Sequence, residues 1–253
     1  MITSLKIKFG GNAEIVPNSR LAAVFHGVMM EMISVDYAEY LHLSQVHPYS
    51  QYITGENNCI VWNINTLDKN SAENIIGVLD SDDFKNAELK SKSVKLNVIS
   101  KEYSEIGYDD LLNEYYLGGR SARYITLRFI TPTAFKSSGK YIIFPTSKLI
   151  LNSIAVRYDM FSGSTSVGDE HLAEYIEKYT DIVEYDLKSV KFSLEGITVP
   201  SFVGSVKIRL SGSREFICLM NMLLRYGEFS GTGIKTSLGM GAYKIINTGG
   251  TIT

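Results

Sequence analysis

Three of the chain's four histidines, His26, His42 and His47, fall within 22 residues. Imidazole titrates near pH 6.5 when unperturbed, so such a cluster has the residue type for taking one proton and giving another at neutral pH. Each histidine also has a plainer reading. His26 lies beside the apolar stripe of a helix and fits a buried ring bonded to a carbonyl. His47 could supply charge or simply begin a hairpin. His171, among acids at a helix start, reads as a surface residue. A second concentration of chemistry is GEFSGTGIKTSLGMGAY, Gly227 to Tyr243, with five glycines around Lys235. It is not a P-loop, because Ile234 rather than Gly precedes the lysine, and it is not a dinucleotide fingerprint, because Thr236 stands where the third glycine belongs. Both motifs also open a βα unit, for which too little chain follows. Two readings remain. One is an anion-binding concavity in which glycine amides, Lys235 and the Thr236 and Ser237 hydroxyls face phosphate oxygens. The other is a glycine-rich hairpin at a sheet edge.

The rest of the composition narrows the classes. Two cysteines far apart, with no Cys/His spacing, indicate neither a disulfide framework nor a zinc site. Asp80, Asp82 and Asp83 lack the glycine and closing glutamate of an EF-hand and read as a solvated turn. No metal or other cofactor is expected. No apolar run approaches the ~18 residues of a membrane span and the start lacks a signal-peptide core, so a cytoplasmic protein with no membrane association is expected. Net charge is −2, unlike a typical nucleic-acid binder, but the charge is segregated. Residues 118–168 hold seven Lys/Arg against one acid, and residues 65–117 hold six against eleven. The chain could therefore present a basic face on an acidic body, or only a solvated mixture.

Periodicity supplies the elements that must position these groups. Thr3 to Phe9 reads as a strand, Asn18 to Ile33 as a helix, with a short helix through Leu43. HPYSQYI and NCIVWNI flank GENN as a hairpin. TLDKNSAENIIGVLD is helical, and a strand follows from Val94 to Ile99. The second half begins with ARYITLRFITPTAF, a strand ended by Pro132. A helix opened by Pro145 and another over Asp169 to Tyr179 follow. VKFSL and FVGSVKIRLSG are strands, Ser213 caps a helix running to Arg225, and AYKIIN is the final strand. The order predicts an α+β protein of two tandem ferredoxin-like (βαββαβ) domains, 1–115 and 120–253, with a linker near Glu114 to Ser121.

Three segments then carry a resemblance. SGTGIKTSLGMGAYKI resembles the pattern G-x-G-x-K-[ST]-x-x-G-[FM]-G before the last strand of the CRISPR repeat-processing endoribonucleases, a family of the RAMP superfamily. YLHLSQVHPYSQY and LAAVFHGVMMEMI are similar to that family's segment after the first helix and to the helix itself, while TPTAF and PTSKL fit more loosely. The resemblance implies RAMP/RRM-like domains that bind CRISPR repeat RNA in precursor crRNA and cut it by metal-independent attack of a ribose 2′-hydroxyl, leaving a 2′,3′-cyclic phosphate and a 5′-hydroxyl. It implies His42 as a catalytic residue, with His26 and His47 as further candidates. It implies RNA contacts at Lys235, Thr236 and Ser237, cradled by Gly231, Gly233, Gly239 and Gly241, and Arg120 and Arg123 from the basic stretch are expected to extend them. Where relatives carry a tyrosine on the first helix this chain has Met30 or other apolar residues, and Tyr49 or Tyr52 could substitute. Other CRISPR effector subunits are implied partners, and a monomer or homodimer is expected. Two other readings stay open: a non-catalytic RAMP subunit that binds guide RNA, favoured by the missing tyrosine, and a two-domain protein with an incidental glycine hairpin.

Overall fold

The computed structural model describes residues 1–10, 17–163, 166–168, 171–194 and 196–251. The first unit comprises β1 (Ile2–Phe9), α1 (Leu21–Met32), α2 (Val35–Leu43), β2 (Tyr49–Glu56), β3 (Cys59–Thr66), a helix α3 over 69–79, β4 (Asn86–Leu89) and β5 (Val94–Ile106). Leu5, Ile7 and Phe9 alternate into the core from β1, and α1 covers them with Leu21, Ala22, Phe25 and Met29, one face of a 3.6-residue period. Ser34 caps α2 by accepting from the Tyr37 amide. Asn57 and Asn58, both left-handed at φ 48° and 62°, make the two-residue turn that joins β2 to β3. Inside α3, residues Ala72–Ile76 form a π-helical turn.

The antiparallel strands lie in the order β2-β3-β1-β5-β4. Omitting the short edge strand β4, this is the ferredoxin-like arrangement in which the fourth strand neighbours the first. The second unit repeats it. β6 (Ala122–Thr133), the hairpin β7 (Phe135–Ser137) and β8 (Lys140–Ile142), then β9 (Thr180–Leu194), β10 (Ile197–Leu210) and β11 (Tyr243–Thr251) give a four-stranded sheet in the order β11-β6-β10-β9. Helix α4 (Tyr108–Tyr116) joins the units, and α5 (Ser147–Phe161), α6 (Leu172–Tyr179) and α7 (Arg214–Ser230) complete the second.

Four local readings change. The first strand of the second unit runs through Pro132, which is tolerated because the pairing with β10 shifts register there, so no ladder amide is needed. The last helix passes Arg225 and ends at Ser230, with Gly227 inside it; a side chain at Gly227 would overlap the Tyr243 hydroxyl and Ile154. β9 and β10 are 15 and 14 residues long, beyond the short strands expected. Helix α4, unread in sequence, buries Tyr108, Leu111 and Tyr115 in one cluster with α5 and α7, and the Tyr108 hydroxyl donates to the Leu67 carbonyl at 2.8 Å. The expected start of α6 at Asp169 lies outside the described residues. Cys59 and Cys218 are both free thiols, and no helix among the described residues is long and apolar enough to cross a membrane.

Candidate active site

The glycine-rich segment closes on itself and on the first unit. Helix α7 ends where Gly231 turns left-handed at φ 68°, and Thr236–Leu238 forms one 3-10 turn that begins after Lys235, itself left-handed at φ 56°. The Ile234 amide donates to the Ala134 carbonyl and the Gly241 amide to the Pro132 carbonyl, each at 3.0 Å, which straps the loop across the end of β6. Thr232 N–H bonds the Gly241 carbonyl at 3.0 Å and Gly233 N–H bonds the Ser153 hydroxyl at 2.7 Å. At Gly241, φ is +75° and a Cβ would overlap the Thr232 carbonyl; at Gly239, one would overlap the Cβ of Ala22 on α1. These glycines therefore answer to neighbouring protein atoms. Every amide from Gly231 to Ala242 has an acceptor except those of Lys235, Thr236 and Ser237, which have none among the described residues. The Thr236 and Ser237 side chains are buried, whereas Lys235 is half-buried.

The first unit receives this strap through Gln51 and His47. Gln51 is buried, donates from Nε2 to the Ala22 carbonyl at 3.0 Å and the Ser237 carbonyl at 2.8 Å, and accepts the Trp62 indole N–H at 2.5 Å. His47 Nδ1 lies 2.8 Å from the Ser237 hydroxyl, and the ring stacks on Tyr49 at 5.5 Å and 6°. Burial lowers the His47 pKa, the Leu41 backbone acts the other way, and the Arg157 charge adds to the fall. Nδ1 and the Ser237 hydroxyl share one hydrogen bond in either neutral tautomer, since each group can donate or accept. His47 thereby ties the segment that follows α2 to the loop. Beneath it, the buried Tyr49 hydroxyl feels Ser237 without meeting it at hydrogen-bonding geometry, and burial pushes its pKa up.

His26 lies on α1, half-buried, and also stacks near Tyr49, with ring centroids 6.4 Å apart. Burial, then the charge of His47, brings its pKa down to about 4, so it is neutral at pH 7. His42 differs from both: it stands exposed in the last turn of α2, next to Leu41. The structure thus gathers His26, His47, Tyr49 and Ser237 into one packed group, while His42 is exposed in the last turn of α2. Met30 packs against the core, as its apolar character requires, and Tyr52 is buried.

Arg120 and Arg123 lie elsewhere. Both are exposed at the start of β6, Arg120 paired with Glu114 at 2.6 Å, whereas the strap crosses the strand's far end. At ~3.3 Å per residue they stand roughly 30 Å from the loop, too far to share a phosphate with Lys235. His171 is exposed, 3.7 Å from Glu174. Among the described residues, no group of three or more His, Cys, Asp or Glu side chains is placed to hold a metal ion.

Two residues of this region escaped the sequence reading. Gln51 carries no local signal. Arg157 does carry one: it sits three residues after Ile154 on the buried stripe of α5, where an arginine is out of place, and it is only 9% exposed.

Comparison with known proteins points one way. The family model described as CRISPR-associated endoribonuclease Cas6 matches residues 127–243. A CRISPR-associated endoribonuclease Cas6 of Streptococcus thermophilus is 33% identical over 236 residues, covering 90% of this chain and 93% of that protein. One of Mycobacterium tuberculosis (strain CDC 1551 / Oshkosh) is 32% identical over 224 residues, covering 87% of this chain and 70% of its own length. A solved Cas6 product complex superimposes with a TM-score of 0.80 at 21% identity, over 98% of this chain and 100% of that one.

Proposed function

The chain belongs to the family of CRISPR-associated endoribonucleases called Cas6, and from that premise we propose that it cuts precursor CRISPR RNA within each repeat without a metal ion. In this reading the 2′-hydroxyl gives up its proton and its oxygen attacks the adjacent phosphorus. The P–O5′ bond breaks, the 5′-oxygen takes a proton, and the products carry a 2′,3′-cyclic phosphate and a 5′-hydroxyl. His42 handles a proton of this step. The observation that carries the assignment is its exposure in the last turn of α2, whereas His26 and His47 are half-buried against Tyr49. His26, neutral at pH 7, is able to accept a proton but is not the imidazolium a general acid requires. His47 keeps the strap in place, and its Nδ1 is engaged by the Ser237 hydroxyl.

The RNA backbone meets the loop at Lys235, through its ammonium and through the unengaged amides of Lys235, Thr236 and Ser237; Gly231, Gly233, Gly239 and Gly241 give that backbone its shape. Arg120 and Arg123 contact a more distant part of the same RNA. Other CRISPR effector subunits are proposed as partners of the cytoplasmic protein, acting as a monomer or homodimer.

The test is cleavage of a labelled repeat RNA in excess EDTA by wild type, His42→Ala and His26→Ala. A single cut that survives chelation and slows by ~10² or more in His42→Ala is expected. Tight binding without a cut in wild type would make the chain a guide-RNA-binding subunit instead.

A further inference from the structure

Arg157 has an environment unusual for a cation. Its Nη2 is 3.4 Å from the Gly233 carbonyl, but Nη1 is buried with no hydrogen-bond partner, and Arg157 forms no ion pair among the described residues. Burial lowers its pKa, yet a guanidinium keeps its proton in any protein. A buried charge is costly unless a counter-charge completes it.

The counter-charge has room to enter. Arg157 borders a cavity of about 500 Å³ whose other walls include Val46 of the first unit and Lys136, Asn152, Ser153 and Ile234 of the second. Two cations, an amide and a hydroxyl line it, and no carboxylate does. Its volume suits a group the size of one nucleotide. It opens at the seam where Val46 precedes His47, the ring that feels the Arg157 charge.

Resting on the reading that the substrate is RNA, we propose that this cavity is a phosphate subsite in which the Arg157 guanidinium, turning Nη1 out of its buried position, pairs with a backbone phosphate of the bound repeat, with Lys136 adding charge at the rim. A guanidinium held by the Gly233 carbonyl is already oriented, so binding need not order a long side chain. The subsite also couples recognition to the strap, because the residue that grips the RNA grips the loop.

The experiment measures binding of a repeat RNA made uncleavable by a 2′-deoxy substitution at the scissile nucleotide, over a range of salt concentrations. Wild type is compared with Arg157→Gln, which removes the charge, and with Val156→Trp, which fills the rim from a 54% exposed position and leaves Arg157 in place. Both variants are expected to bind about tenfold more weakly. The slope of log K against log salt is expected to flatten by about 0.7 in Arg157→Gln, the signature of one lost phosphate contact on a single strand. A merely structural arginine would leave that slope unchanged, and an unchanged slope overturns the subsite. If Arg157→Gln does not fold, Val156→Trp decides: native melting with weakened binding supports the proposal, and full affinity overturns it. Raising inorganic phosphate separates a free-anion site from an RNA subsite. Melting raised by millimolar phosphate in wild type but not Arg157→Gln, with RNA affinity equal in the two, overturns the RNA assignment. A wild type that binds no repeat RNA refutes the preceding reading, whereas one that binds equally well in all three forms refutes only this subsite.

Discussion

Residues 42–49 and residues 231–241 meet at one seam and use opposite means. The first segment contains no glycine, and two of its chemically able side chains, His42 and His47, part ways: one is exposed and the other is engaged by Ser237. The second segment is rich in glycine and turned inward, with most amides bonded to protein and its three hydroxyl-bearing side chains buried. The louder compositional signal marks a place where backbones pack closely. The quieter one marks the side chain left available. Glycine density reports geometry, and only the hydrogen-bond inventory reveals what remains for a ligand.

The largest effect that would sharpen this contrast is at Gly241. Gly241→Ala forces a side chain into a left-handed position against the Thr232 carbonyl, and a loss above ~4 kcal/mol is expected, with a fall in Tm of roughly 10 °C or more. Gly139→Ala, also left-handed but in open space, should lose only ~1–2 kcal/mol. Melting of Gly241→Ala at the wild-type temperature would mean that the loop is not the strap described. Next comes Gln51→Leu, which strands the Ala22 and Ser237 carbonyls and the Trp62 indole N–H, for about 3 kcal/mol by chemical denaturation. His42→Ala should leave the same denaturation curve within ~0.5 kcal/mol, as an exposed position does; a large shift there would break the contrast from the other side.

The pH dependence follows from His26. Its folded pKa, about 4, lies below the unfolded value near 6.5, so the unfolded chain binds the extra proton first. Stability contributed by the neutral ring is present above pH 6.5 and is lost as pH falls from there towards 4, by an amount on the order of 2–3 kcal/mol. His26→Gln should flatten that part of the stability–pH curve, and an unchanged slope would show that the ring is solvated. The smallest effect is expected at Arg120. Its pair with Glu114 is 72% exposed on the arginine side, so Arg120→Ala should change stability by less than ~0.5 kcal/mol.

Much of this architecture is legible locally. The Asn57–Asn58 turn, the Ser34 and Ser213 caps and the alternation of β1 follow from neighbouring residues, whereas the strand order of each unit depends on pairings far apart in sequence. Helix α4 is harder to read: Tyr108, Leu111 and Tyr115 have helical spacing, but acids crowd them and their partner α7 lies some hundred residues away. The site shows the same division. The histidine cluster stands out within one segment, whereas the bonds that sort its members join residues 190 and 186 positions apart, His47 to Ser237 and Gln51 to Ser237. Such contacts leave no periodic trace. Arg157 lay in view as a charge on an apolar stripe, and its meaning emerged only with the missing partner at Nη1.

The strap also has a consequence for biosynthesis. A ribosome delivers residues 231–241 after both sheets except β11 have been made, and β11, beside β6, follows them. The first unit can collapse around its own core during translation, but His47 must wait for Ser237. A nascent chain bearing all three clustered histidines therefore has no completed seam, and its competence to handle RNA arrives with the last turn of the loop.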